Sequence, residues 1–463
     1  MAEPTTITEA AELIRTGALT PTELLEQCLA RIDKYEERVR AWVHIDRDGA
    51  REQAARLTTE LKQNGHRGPL HGIPVGIKDI IDVFDMPTAC GSKRWAQSYA
   101  RRDATCVERL RQAGAVIMGK TVTTAYASFD PPPTRNPWNL DRTPGGSSSG
   151  SAAAVACGMC LGALASQTGG SITRPASYCG VYSLKPTHGR VSVGGVLPLA
   201  PSMDHVGVMA NCVHGLAWIF EAIAGRDPHD PASASNRVPD LTHAPLLPPD
   251  PQRIGLLGGI FLERAESTIR EKLVALARKL EGFGGLATTA DQKTIPINVV
   301  EVSASALPAE FGEVTRRHNT VMAVEAAAYH TARFARYPED YPPCITALLR
   351  EGLNTPAPAY ANCKAHQERM SILCDDLFDH FHALLTPATT GPAPTSETTG
   401  NPAFNSPWSY TGLPTVSLPF AWSSDGMPLA LQLTGSRFGE QQLFGVAARW
   451  EADIAFERRA LPL

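Results

Sequence analysis

The first clear pattern in the chain is helical. Thr20-Pro21-Thr22-Glu23 sets a capping threonine three residues before a glutamate, with proline at the first helical position. Leu24, Leu25, Cys28, Leu29 and Ile32 then recur on one face, which predicts an amphipathic helix after that cap. The pattern changes between His71 and Phe84, where Ile73, Val75, Ile77, Ile80, Ile81 and Val83 crowd together and predict a buried strand. Asp103 to Gln112 predicts a further helix and Ala115 to Met118 a short strand, so a strand–helix–strand unit follows Lys78. Pro228 to Pro251, rich in Pro, Ala, Asp and Ser, predicts a surface connection. Beyond it, Ile254–Ile260 predicts a strand, Ser267–Leu280 a helix, and Thr386–Gly400 a loop that returns the chain to a sheet. No internal repeat is evident.

Composition narrows the class. With 463 residues, 43% of them hydrophobic and 19% charged, the chain can bury a large core, and it exceeds one typical domain in length. A net charge of −4, with no basic run interleaved with aromatics, gives no reason to expect nucleic acid. No basic-then-apolar signal pattern stands at the start, and no apolar run approaches the roughly 18 residues of a membrane span. The ten cysteines lack framework spacing and read as reduced packing residues, which points to the cytoplasm. Cys157 and Cys160 are a two-residue-spaced pair, yet no second pair or nearby histidine makes them a metal site.

Candidate chemistry concentrates between Pro144 and Pro175. Gly145-Gly146-Ser147 and Gly169-Gly170-Ser171 are two glycine turns, each presenting a serine, at the ends of an apolar stretch. Glycine lets the backbone approach a substrate and turn its N–H groups inward. A flexible linker would also be rich in Gly and Ser, but would not carry a packed apolar insert. Two such serines suit a nucleophile with a partner. A base is available upstream, because a lysine buried in a strand is pushed towards its neutral amine. Lys78 is that candidate, against the plainer reading of an ion pair with Asp79 or Asp82.

Together these pieces resemble the amidase signature family. The match runs through Lys78 in GIPVGIKD, Ser147 in GGSSSGS and Ser171 in QTGGSITRP, with the serines twenty-four positions apart. It continues through Leu184-Lys185-Pro186-Thr187, Gly189-Arg190-Val191-Ser192 and Asn405-Ser406-Pro407-Trp408, so it covers nearly the whole chain. The resemblance implies an α/β fold: one large mixed, twisted central sheet flanked by helices on both faces. It implies a single domain over 1–463, a signature core over 65–215 and a specificity region of helices over 251–395.

It also implies a Ser–cisSer–Lys triad. Ser171 would be the nucleophile, Ser147, after a cis bond to Gly146, the bridging serine, and Lys78 the terminal base. The N–H groups of Thr168, Gly169, Gly170 and Ser171 would form the oxyanion hole. Arg174, Tyr126 and Gly146 are the candidate substrate-binding residues, and the scheme needs no metal or cofactor. Arg174 stands open between a structural ion pair and a bidentate hold on a substrate carboxylate. The chain departs from the family pattern at Gln167, where many members have Asp, and at Ala125, which replaces a common acidic residue. An amide at 167 can still accept the backbone hydrogen bonds of the turn. Tyr126, Phe129 and Pro131–Pro133, with Phe404, Trp408 and Tyr410, are expected to give the pocket apolar walls.

His71, His188 and His205 near these motifs read as structural, since the triad already holds its base. Cys179 lacks the Glu–Lys–Cys order of a thiol hydrolase. The expected function is an amidase for small to medium amides, extending to esters and carbamates, acting as a monomer or homodimer. One alternative is the A component of a tRNA-dependent amidotransferase, working with partner subunits; another is a hydrolase of dicarboxylic monoamides. A non-catalytic binding protein on the same fold would be expected to lack part of the triad.

Overall fold

The computed structural model describes residues 3–243, 246–281 and 296–463. Part of the Pro228–Pro251 connection and part of the 251–395 stretch therefore lie outside the described residues. The capping box at Thr20 is present, and the helix Pro21–Val39 buries Leu24, Leu25, Cys28, Leu29 and Ile32 as its spacing requires.

Eleven strands form one mixed sheet. In chain order they are β1 (Trp42–Ile45), β2 (Pro74–Lys78), β3 (Val116–Thr121), β4 (Gly162–Gln167), β5 (Tyr182–Lys185) and β6 (His205–Ala210). The others are β7 (Gln252–Leu257), β8 (Ile297–Val302), β9 (Ala383–Pro387), β10 (Thr415–Trp422) and β11 (Pro428–Thr434). Their order across the sheet is β1-β3-β2-β4-β6-β5-β10-β11-β9-β7-β8. β2 lies parallel to β3 and β4, while β4 is antiparallel to β6.

Helices cover both faces, and the period-2 alternation of the strands shows it. In β3, Val116 and Met118 pack with the helix Pro21–Val39, the helix Ser149–Ala156 and Cys179, whereas Ile117 faces the opposite core. In β4, Ala163 and Ala165 share that first core, and Leu164 packs in the second with the helix Val213–Ile223. Gly76 has no room for a side chain: a Cβ there would lie 2.9 Å from Thr121 Cγ2 and 3.1 Å from the Trp42 ring.

The strand expected over 71–84 is only Pro74–Lys78. The ladder ends because Ile80 N–H and Ile81 N–H both turn back to Lys78 O, at 2.8 and 3.0 Å. The apolar residues beyond are buried in a turn, which an apolar run does not distinguish from a strand. β3 extends past the expected Met118 because its polar end is satisfied in the core. Lys120 reaches Asp79 Oδ1 at 3.0 Å, and Thr121 and Ser151 hydroxyls meet at 2.8 Å. The helix after Asp103 starts at Thr105, and Ile260 opens a separate helical turn to Glu263. Thr386 and Pro387 belong to β9, so the return loop begins after them. Cys157 and Cys160 are buried, and burial pushes both thiols well up. No cluster of three or more His, Cys, Asp or Glu suited to a metal occurs among the described residues. Nor is any described helix long and apolar enough to cross a membrane.

Candidate active site

Parallel neighbours β2 and β4 end side by side, so whatever follows them leaves the sheet at one place. Ligand crevices of α/β sheets lie at such carboxyl ends. Lys78 is the last residue of β2, and Thr168-Gly169-Gly170-Ser171 follows β4 at once. The Gly145-Gly146 turn reaches the same point at the start of the helix Ser149–Ala156, where Gly145 takes φ +83° and Gly146–Ser147 is cis.

Lys78 Nζ lies 2.7 Å from Ser147 Oγ and 2.7 Å from Ser166 Oγ, with the lysine fully buried. Burial holds its ammonium pKa well below the ordinary lysine value, and the Asp204 carboxylate opposes that only in part. The ion pair considered for Lys78 does not form. Asp79 is taken by Lys120, which is also held by Pro87 O and Thr88 Oγ1. The buried lysine therefore faces two hydroxyls and, among the described residues, no carboxylate within hydrogen-bond reach.

The turn 168–171 is pinned through its carbonyls. His318 Nε2 donates to Thr168 O at 2.9 Å, Ser409 Oγ to Gly169 O at 3.0 Å, and Arg174 N–H to Gly170 O at 2.9 Å. C=O and N–H point opposite ways in a trans peptide, so the N–H groups of Gly169, Gly170 and Ser171 turn away from those partners. They meet no acceptor among the described residues. Gln167 Oε1 accepts Ile172 N–H and Thr173 N–H at 2.9 and 3.1 Å, as anticipated for an amide at this position.

A cavity of about 200 Å³ adjoins the turn. Ser166 and Thr168 line it, and Ile80, Val196, Leu197 and Leu199 make much of the wall. Asp204 lies in the same wall, accepting from Thr168 Oγ1 and from Leu199 and Ala200 N–H at 2.8 and 3.0 Å. Burial raises the pKa of this carboxyl.

Of the remaining sequence candidates, His205 also lines the cavity and the others do not. Tyr126 is fully buried, its ring stacked on Tyr341 at 4.5 Å and its hydroxyl bonded to Asp340; its neighbour Ala127 lines the cavity. Phe404, Trp408 and Tyr410 are likewise buried, with Trp408 stacked on Phe261 at 5.7 Å, so they back the site from within the core. Arg174 is buried, with Nη2 on Gly146 O. His71, His188 and His205 each meet backbone carbonyls, and burial lowers all three pKa values. Sequence reasoning did not single out Ser166, Asp204, His318 or Ser409, which lie in no short motif and meet the turns only through the fold.

A family model described as Amidase matches residues 23–444. The chain is 32% identical over 482 residues to the A component of the glutamyl-tRNA(Gln) amidotransferase of Synechococcus sp. (strain RCC307), covering 98% of each. It is 32% identical over 472 residues to the putative amidase AmiD of Mycobacterium tuberculosis (strain ATCC 25618 / H37Rv), covering 99% of this chain and 96% of that one. Among solved structures, peptide amidase from Stenotrophomonas maltophilia superposes with TM-score 0.84 at 29% identity over 98% of both chains. The structure of 6-aminohexanoate cyclic dimer hydrolase also gives TM-score 0.84, at 25% identity, covering 99% of this chain and 98% of that one.

Proposed function

The chain belongs to the amidase signature family of amide-hydrolysing enzymes, and on that premise we propose that Ser171, Ser147 and Lys78 are its catalytic triad. The observation that carries this reading is the fully buried Lys78 amine 2.7 Å from Ser147 Oγ, beside a glycine turn whose N–H groups meet no acceptor among the described residues. Neutral Lys78 takes the Ser147 proton as Ser147 takes that of Ser171, and Ser171 Oγ attacks the carbonyl carbon. Charge then develops on the carbonyl oxygen, where the N–H groups of 168–171 receive it. The relay runs in reverse to protonate the leaving amine, and water releases the acyl group. Such a route extends to esters and carbamates, since it asks only for a carbonyl carbon and a leaving amine or alcohol.

The oxyanion assignment has its own test. His318→Leu frees Thr168 O and lets the peptide carrying Gly169 N–H rotate. We expect kcat to fall at least about tenfold with KM nearly unchanged, and His318→Gln, which keeps a donor, to recover part of it. Equal, unaltered kcat in both variants removes this peptide from the hole.

For substrate, the reading is a small to medium uncharged aryl or alkyl amide. A dry cavity of about 150 Å³ holds benzene, so about 200 Å³ suits one ring or a short alkyl group. Asp204 in the wall discourages an anion there. Across aliphatic amides, anilides, aryl carbamates and dicarboxylic monoamides, kcat/KM is expected to be greatest for a neutral amide. A strong preference for the monoamide contradicts this choice.

The amidotransferase component found among the relatives supports a second reading, in which the chain works with partner subunits. Against it, the nucleophile segment reads Ser171-Ile172-Thr173-Arg174-Pro175 rather than the Ser-Ile-Arg-Gln usual for that component. Turnover of a simple amide by the isolated chain favours the first reading, and activity only with co-purified partners the second.

A further inference from the structure

Arg174 touches both serine turns. Its backbone N–H donates to Gly170 O at 2.9 Å, the carbonyl preceding Ser171. Its Nη2 donates to Gly146 O at 2.6 Å, the carbonyl preceding Ser147, and lies 3.3 Å from Thr399 Oγ1. We propose that Arg174 is a positioning residue that fixes the two serine turns relative to each other, and that it does not bind substrate. This deepens the triad reading above and rests on it.

Three observations support the role. The guanidinium has no exposed surface, and its Nε and Nη1 are buried without an acceptor among the described residues. A substrate carboxylate reaches such atoms only if the packing around them opens. Nor does Arg174 pair with a carboxylate among the described residues, so the ion pair considered from the sequence does not form. Desolvation without a counter-charge pulls its pKa down to about 10. The strongest contact left to this cation is the short, charge-assisted bond to Gly146 O.

The turn it grips has no slack. A Cβ on Gly145 would lie 2.7 Å from Pro175 Cα, and one on Gly146 2.8 Å from Thr399 Cγ2. Loss of the guanidinium takes the donor from Gly146 O and leaves a space beside this tight turn, so the Gly146 carbonyl shifts and Ser147 moves with it. Ser147 Oγ must stay on Lys78 Nζ and also serve Ser171, and a misplacement of about 1 Å in such a site costs roughly 100-fold.

The test compares wild type, Arg174→Met and Arg174→Lys. Each is labelled with a neutral fluorophosphonate, the modified residue is located by mass spectrometry, and kcat and KM are measured on a neutral anilide and a dicarboxylic monoamide. Arg174→Met is expected to label Ser171 about 100-fold more slowly and to lose kcat similarly on any substrate turned over, with KM nearly unchanged. Arg174→Lys should recover part of both, since its ammonium can still reach one carbonyl. Normal labelling and normal anilide kcat, with only the monoamide affected, make the arginine a carboxylate clamp and overturn the proposal. Normal labelling with both substrates unaffected makes it a packing residue and overturns it equally. If Arg174→Met does not fold, Arg174→Lys decides: slowed labelling at an unchanged Tm supports the role, and a wild-type rate defeats it. Labelling of wild type at a residue other than Ser171 defeats the triad reading itself, and this proposal with it.

Discussion

Ser171→Ala is expected to abolish amide turnover, with kcat falling on the order of 10⁶-fold, while the protein stays folded. The substitution removes one oxygen from a residue 7% exposed, and leaves its backbone in place. Gln167 still holds Ile172 and Thr173, and Ser171 O remains 3.4 Å from Ser148 N–H. The N–H groups of the turn also survive, so residual catalysis over water from the oxyanion hole is expected, of order 10³-fold. Circular dichroism and kcat on the best amide of the panel check both halves. Substantial activity in a folded variant moves the nucleophile elsewhere, with Ser147 the first residue to examine.

Local signals were legible in the chain because their physics is local. The capping box at Thr20 needs only residues within one turn, and its helix begins where that box places it. The glycine turns also stand out, since few other residues allow the φ of +83° at Gly145. The large mixed sheet was legible only through resemblance. Its order places β10 beside β5 and β7 beside β9, pairings between distant segments that no periodicity announces.

The same limit governs the site. Lys78 was visible as a charge in an apolar run, but its freedom from Asp79 depends on Lys120, forty-two positions later. His318 reaches Thr168 from a helix that carries no signature residue, and Asp204 enters from just ahead of β6. Aromatic residues misled for a related reason. Tyr126, Phe404, Trp408 and Tyr410 lie next to site motifs in sequence, yet large apolar rings are better buried, and the core took all four. The cavity wall is instead largely aliphatic, from Ile80 and the Val196–Leu199 stretch.

Lys78 should reveal its depressed pKa in two independent measurements. If its neutral amine starts the relay, kcat/KM rises with pH through one apparent pKa below that of free lysine and then levels. Stability should follow the same ionisation. Below the folded-state pKa the native protein carries a buried ammonium, and the cost is fully present. Between that pKa and the ordinary value of 10.5, the unfolded chain binds the extra proton, so stability rises with pH, and above 10.5 the cost is gone. Lys78→Met abolishes this dependence, so its stability relative to wild type should be most favourable at low pH and should decline as pH rises. Urea unfolding of both proteins at several pH values checks the trend. A relative stability independent of pH shows that the lysine ionises in the native state as freely as in water. Lys78→Ala should also lose most amide turnover and less ester turnover, because an amine leaves only when protonated and an alkoxide depends on that step less. Equal losses on a matched amide and ester, with chemistry rate-limiting, remove Lys78 from the proton relay and leave it only a structural amine between Ser147 and Ser166.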